Sequence, residues 1–419
     1  MAKGTVARRV VITGMGFVSP CGCSLEEFWG ALIEGRSGIQ RLEWADPAVF
    51  NCQVGGLVPP AQYAELVDPR LVRTTSQASQ LGLAAVRLAL RTSGLQPQDW
   101  RAPDRTALLI GTAVGGLRNA EQQYAILLER GARRVNPFLA NGSLPFATAA
   151  ELASLANARG FQLTITTGCT ASTQAIALGQ QLVANGEADV VVAGGAEAPL
   201  ALTVFASMGR TMELARDSSD PARASRPFDR AHSGMVLSEG ACVVILEPRE
   251  QALARGARIY AEVLGGASSC DARGLFHTDP TGETGGHTIR ALLQRCGLEP
   301  RHVHWLCAHA NASPAFDSKE TRVAKAAFGE WAARLPISSI KAVLGHPFGA
   351  SGAFQTVAAC LAFHHQQIPP THFLEQPADD CDLDYVPHTP RAATLEHVLL
   401  SSYGYGGANS YLLLRHPDA

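Results

Sequence analysis

The chain has 419 residues, 46% of them apolar and 17% charged, with a formal net charge of −2. That balance excludes a disordered chain and offers no basic surplus for nucleic acid, and the length suffices for two core-bearing domains or one large duplicated unit. The basic opening, residues 1–9, is followed by an apolar stretch that glycine breaks too early for a signal peptide, and no later run approaches a membrane span. A cytoplasmic protein without membrane attachment is expected.

In chain order, residues 8–14 read as a first strand ending in a glycine turn, and Ser24-Leu-Glu-Glu-Phe-Trp opens a helix with a serine cap and a glutamate three positions on. Proline and broken periodicity over residues 41–69 suggest a surface excursion. A small-residue helix resumes at Thr75 with Ala78, Leu81, Ala85 and Leu88. Ala107-Leu-Leu-Ile-Gly is a buried strand running into a glycine loop that lacks the Lys-Ser/Thr of a P-loop and so reads as packing or pocket wall.

The stretch Thr164–Val183 passes from a short β-prone run through Gly168 and Cys169 directly into a helical pattern of Ala171, Ala175, Leu178 and Leu182. No charge interrupts it between Arg159 and Glu187, so the helix can be deeply buried. A cysteine at a helix start gains up to about 2 kcal/mol for its thiolate, roughly what half-ionisation at pH 7 requires. Burial opposes this, so a histidine partner is expected downstream. The other cysteines, among them Cys242, Cys307 and Cys360, sit mostly in apolar settings and read as reduced core thiols; Cys21 and Cys23 have no partners at zinc spacing, and no metal is expected.

Asp189-Val-Val-Val-Ala-Gly-Gly-Ala-Glu and residues 241–247 are further strands. Near residue 255 the pattern restarts with a strand at 258–264, a helix through Leu292 and Leu293, and a strand at 304–308 ending at His309. The alternation of strand and helix indicates an α/β protein with buried sheets, divided into residues 1–255 and 256–419. The two parts share a layout. If they pack about a pseudo-twofold axis, Cys169 and His346 lie on related segments that could meet at the centre.

Of 13 histidines, His309 and His346 each end an apolar run and open a small-residue loop, the usual place for catalytic groups in α/β proteins. Lys341, one of only four lysines, stands in the apolar run five residues before His346. It is either a structural charge paired with an acid such as Glu320 or a group that orients a catalytic histidine.

Taken together, Gly168-Cys169-Thr170 before an apolar helix, His309 followed by Pro314, Asp317 and Glu320, Lys341 with Gly345-His346 and Gly349-Ala-Ser-Gly, and Tyr403-Gly-Tyr-Gly-Gly-Ala-Asn409 resemble the elongating β-ketoacyl-[acyl carrier protein] synthases of fatty-acid and type II polyketide biosynthesis. The resemblance spans essentially the whole chain. It implies a thiolase-like fold of two duplicated halves in a five-layered α-β-α-β-α sandwich, a homodimer or a heterodimer with a related subunit, and an acyl carrier protein as partner.

It also implies roles. Cys169 attacks an acyl thioester carried on a phosphopantetheine arm, with no other cofactor, and malonyl-carrier protein then condenses with loss of carbon dioxide. His309 and His346 bind the developing enolate oxygen, and Lys341 with Glu320 as partner holds the histidine geometry. Asp317 and Asn409 are supporting residues, and Tyr405 contributes a backbone oxyanion donor. Tyr403 and Tyr405 stand at gating positions, Val114 and Phe138 at the acyl-pocket wall, Asn311 and Ser313 at pantetheine-contacting positions, and Arg70, Arg73 and Arg210 near a patch for the acidic carrier. The family's His-Gly-Thr-Gly/Ser-Thr run reads His309-Ala-Asn-Ala-Ser313 here, which puts the extender unit and the preferred carrier in question. A non-catalytic chain-length subunit is the competing expectation; such subunits typically lack the nucleophile, and Cys169 counts against it.

Overall fold

The computed structural model describes residues 7–100 and 102–419, so most of the basic opening, residues 1–6, lies outside the described residues. The first part of the chain supplies strands β1 (Val10–Val18), β2 (Thr106–Gly111), β3 (Gln162–Ile165), β4 (Val190–Glu197) and β5 (Gly240–Pro248). The second supplies β6 (Ala261–Cys270), β7 (Trp305–Cys307), β8 (Ile337–Ser338), β9 (His397–Gly404) and β10 (Ala408–Arg415). They form one ladder in the order β8-β7-β9-β10-β6-β1-β5-β4-β2-β3. Each group of five has the same order, third-second-fourth-fifth-first. Each also has the same pairing, parallel among its outer three strands and antiparallel among its inner ones. The two groups join only where Val11 meets Glu262 and Ile12 meets Ala261.

The longer helices are α1 (Leu25–Glu34), α2 (Gln77–Ser93), α3 (Leu117–Arg130), α4 (Pro145–Ala156), α5 (Ala171–Ala184), α6 (Leu202–Arg210), α7 (Glu283–Arg295), α8 (Pro314–Phe328) and α9 (Ser351–His365). Leu81 and Ala85 of α2 and Leu152 of α4 pack on Leu108, Val192 and Val243. The opposite face of that sheet, with Leu109 and Val244, meets Ile176 of α5 and Val357 of α9, which also cover Leu400 and Leu412 of the second group. Leu292 of α7 and Val323 of α8 close the far face over Leu399 and Leu413. The result is a five-layered α-β-α-β-α sandwich with α5 and α9 at its centre. These two helices touch: a Cβ on Gly352 would fall 1.9 Å from Thr173 Oγ1.

Two local readings change. The first strand runs through Gly14 and Gly16 rather than turning there, because those glycines lie against α2; a Cβ at position 16 would meet the Ala89 nitrogen at 2.1 Å. The excursion at 41–69 is more than surface, since Leu42, Ala45, Cys52 and Val54 are buried in the apolar cluster that contains Cys169. The Ser24 cap forms as read, with Ser24 Oγ accepting from the Glu27 amide and the Glu27 carboxylate accepting from that of Ser24.

The outer edges differ. On β8 both residues are buried, and Ile337 donates its amide to the Asp384 carbonyl of a covering segment. On the opposite edge Leu163 of β3 is exposed, as are the neighbouring Phe161 and, on the same half, Phe138 and Phe146.

Candidate active site

Cys169 sits in a single 3-10 turn, Gly168–Thr170, that feeds α5, and only 6% of it is exposed. The matching turn Phe348–Ala350 feeds α9, and His346 lies just before it. Because the two central helices cross, His346 Nε2 comes 3.1 Å from Cys169 Sγ. The His309 and His346 rings stand 5.2 Å apart, edge to face. The three groups read from the sequence as distant segments therefore share one site.

Electrostatics correct the picture of a helix-activated thiolate. Burial pushes the Cys169 thiol up to about 12; the Lys341 charge pulls it down, Glu197 pushes it further up, and the residue's own amide assists the anion. Desolvation outweighs the helix start, so the resting sulfur is a thiol hydrogen-bonded to an imidazole. Both histidines are held well below their usual pKa by burial and then by Lys341, so both are neutral at pH 7. Ser351 Oγ lies 3.0 Å from His346 Nδ1, and a hydroxyl there accepts either tautomer. Neither ring nitrogen of His309 has a hydrogen-bond partner among the described residues, which leaves them for a ligand.

Lys341 and Glu320 do not pair as expected. Lys341 Nζ donates to the carbonyl of His309, while Glu320 accepts from the amides of His309 (2.7 Å) and Ala310 (3.2 Å), from Ser401 Oγ and from the Tyr403 hydroxyl. The two charges grip opposite ends of one residue's backbone. Burial brings Lys341 down to about 8 and raises Glu320. Asp317, also raised by burial, accepts from the amides of Asn311, Ala312 and Phe228 and lies 2.9 Å from His232 Nδ1, which holds the loop after His309. Asn409 donates to Asp271, itself in a fully buried ion pair with Lys319. That pair anchors the loop bearing Tyr405, since the Asp271 amide donates to the Gly407 carbonyl.

Cys169, Val114 and Tyr405 line a cavity of about 330 Å³. Gly404 packs the Tyr405 segment close against the turn that carries the nucleophile, since a Cβ there would lie 3.2 Å from the Thr167 carbonyl oxygen. Tyr403 is not among the residues lining this cavity: it is fully buried, and its hydroxyl is engaged by Glu320. Phe138 does not line this cavity within the chain, since it lies in an exposed surface segment beside Thr74 and Ser143. Asn311 and Ser313 are buried beyond His309, and Asn311 Nδ2 has no hydrogen-bond partner among the described residues. Arg70, Arg73 and Arg210 are exposed, and Arg70 is neutralised locally by Asp68 at 2.6 Å.

Several residues of the site escaped the sequence reading. Glu197 is fully buried and accepts from Thr112 Oγ1 and from the amides of Ala113, Val114 and Gly349, joining the cavity wall to the His346 loop. Its signal was a single acid closing an otherwise apolar strand. Ser351 and His232 carried no comparable mark. Among the described residues no group of three or more His, Cys, Asp or Glu is placed to hold a metal ion, and no helix is long and apolar enough to cross a membrane.

The family model for the beta-ketoacyl synthase N-terminal domain matches residues 7–252, and that for the C-terminal domain matches residues 260–375. The chain is 36% identical to 3-oxoacyl-[acyl-carrier-protein] synthase 2 of Synechocystis sp., covering 97% of this chain and 98% of that one. It is also 36% identical to the tetracenomycin polyketide synthase ketoacyl synthase alpha subunit of Streptomyces glaucescens, over 98% and 97%. Among solved structures, the ishigamide ketosynthase/chain length factor superposes with a TM-score of 0.90 at 30% identity, over 98% and 99% of the two chains. A type II polyketide ketosynthase bound to its acyl carrier protein gives 0.89 at 29%, with the same coverage.

Proposed function

The chain belongs to the beta-ketoacyl synthase family, and on that footing we propose that Cys169, His309, His346 and Lys341 carry out an acyl transfer followed by decarboxylative condensation. The protein is a condensing enzyme of the acyltransferase class; the finer assignment, a 3-oxoacyl-[acyl carrier protein] synthase using malonyl-carrier protein, is our reading. The observation that carries it is the 3.1 Å contact of Cys169 with His346, with a second neutral imidazole beside it. Residues 1–255 then hold the nucleophile, and residues 256–419 hold the histidines and lysine.

In the first half-reaction Sγ attacks the acyl thioester carbonyl, and its proton passes to His346 Nε2 while Nδ1–H donates to Ser351. The amides of Cys169 and Tyr405 receive the oxyanion; one such donor is worth about 3 kcal/mol. The departing pantetheine thiolate takes the proton back. Malonyl thioester enters next. As its carboxylate leaves, negative charge grows on the thioester oxygen, where His309 and His346 each donate one N–H. The Ser351 hydroxyl permits the tautomer of His346 that this second step needs. Attack of the enolate carbon on acyl-Cys169 breaks the C–S bond, giving a chain two carbons longer and a Cys169 thiolate that regains its proton from water. Lys341 and Glu320 serve by fixing the His309 backbone.

The acyl groups come on the phosphopantetheine arm of an acyl carrier protein, with Asn311 and Ser313 as arm contacts and Arg70, Arg73 and Arg210 as a docking patch; no resident cofactor is invoked. The bare β3 edge and the exposed Phe138 fit a second subunit, a copy of this chain or a related ketosynthase-like one. A cytoplasmic location accords with these partners.

The test is stepwise. Purified protein is incubated with acyl-carrier proteins and weighed by intact mass; a single acylation should appear and be absent from Cys169→Ala. Malonyl-carrier protein is then added and the elongated β-ketoacyl product identified. An adduct that persists in Cys169→Ala would overturn the assignment.

A further inference from the structure

The cavity beside Cys169 contains one charge that the reaction as described does not use. Its walls are mainly apolar, Val114, Val204, Met208 and Phe348 among them, and Glu213 is the single charged residue lining it. Glu213 is half-buried and has no ion pair with a lysine, arginine or histidine among the described residues. Its backbone is fixed from both sides, the amide donating to the Met208 carbonyl at 3.0 Å and the carbonyl accepting from the Met235 amide at 2.8 Å. Met212, immediately before it, takes a φ of 61°, a left-handed conformation that a side chain of this size adopts only where its surroundings impose it. The Tyr405 hydroxyl is a hydrogen-bonding neighbour of the carboxylate. Burial and then Glu213 hold that phenol far above its usual pKa, so it keeps its proton. A carboxylate accepts at about four lone-pair sites, and one phenol leaves the others open.

A plain alkyl chain filling this cavity would strip water from the carboxylate and return no partner. A cationic group on the chain would replace that water with a charge-assisted hydrogen bond, and a second carboxylate would be repelled. We propose that Glu213 is a specificity-determining residue that receives a protonated amine on the acyl chain carried by Cys169, so that amine-bearing chains are taken in preference to alkyl chains of equal length. This rests on the acyl-transfer reading above. It adds a discrimination between chain chemistries that the mechanism alone does not make.

The experiment follows the rate of Cys169 acylation by intact mass, with 3-aminopropanoyl-, 6-aminohexanoyl- and 8-aminooctanoyl-pantetheine set beside the butanoyl, heptanoyl and nonanoyl thioesters, in which a methyl replaces the ammonium. Comparing each amine-to-methyl rate ratio between the wild type and Glu213→Gln cancels the intrinsic reactivity of the thioesters. At one or more lengths the ratio should be about tenfold higher in the wild type, the advantage of a charge-assisted over a neutral hydrogen bond. Glu213→Lys reads the same contact with its sign reversed, and should take 7-carboxyheptanoyl-pantetheine ahead of the 8-aminooctanoyl thioester. Equal ratios in the wild type and Glu213→Gln at all three lengths, with acylation proceeding, would overturn the role of Glu213 alone. Failure of every thioester, the methyl-ended ones included, to acylate Cys169 in the wild type would overturn the acyl-transfer reading and this proposal with it.

Discussion

The starts of α5 and α9 are the same element built twice. Each central helix is fed by a three-residue 3-10 turn, Gly168–Thr170 in one half and Phe348–Ala350 in the other, and the middle residue is Cys169 in the first and Gly349 in the second. A Cβ on Gly349 would fall 2.7 Å from Thr112 Cα and 2.8 Å from Glu197 Oε2. One turn keeps a side chain and the other excludes it. The bare turn can then press against the first half, which brings His346, three residues upstream, to the sulfur. The two halves thus make a two-part site from one scaffold, with a side chain on one turn and none on the other.

The strongest way to break this arrangement is His346→Ala. It should leave some acylation of Cys169 but lower carbon dioxide release from malonyl-carrier protein by about 10²–10³-fold, the usual cost of one oxyanion donor; unchanged release measured with labelled malonyl substrate would contradict the assigned role. Next is Gly349→Ala, where the added methyl meets backbone and a buried carboxylate. Overpacking of this kind should cost about 1–3 kcal/mol in urea unfolding, whereas Cys169→Ala at the matching position should cost less. A larger loss at position 169 would reverse the contrast.

Glu197 sharpens the comparison through pH. Burial raises its carboxyl to about 6 from an ordinary value of 4.5, against the pull of its four hydrogen bonds. Between those values the folded protein holds more protons than the unfolded chain, so this group's contribution to stability is full below pH 4.5 and is lost as pH rises through 6. Glu197→Gln should flatten that part of the thermal-melting profile between pH 4.5 and 6.5; an unaltered slope would mean that Glu197 does not titrate there. The smallest effect is expected of Ser351→Ala, a positioning change that should slow condensation by about 2–10-fold. It should also shift the pH dependence of condensation, which a purely structural loss would leave in place.

Much of this site was legible before any coordinates. Cys169, His309 and His346 each stand where an apolar run gives way to small residues, a pattern that survives folding because strand ends and helix starts are where side chains can face a cavity. What could not be read was how charges would be used. Glu320 and Lys341 looked like an ion pair because opposite charges in an apolar setting usually find each other, yet both are taken by the backbone of His309. Tyr403 and Tyr405 looked equivalent because sequence does not show that the first ends a buried strand beside Glu320 while the second follows Gly404 out to the cavity. The helix start at Cys169 was visible, but the depth of burial that reverses its effect on the thiol was not.

The open flank of β3 has a consequence for how this protein is made. Its counterpart β8 is sealed by the chain's own later residues, whereas Phe161 and Leu163 finish folding with greasy surface still turned outward. On the proposed reading, in which a second subunit covers this flank, newly synthesised chains are sticky until that companion arrives. Yield from a recombinant host should improve when that companion is co-expressed, and crowding many solitary copies together invites precipitation.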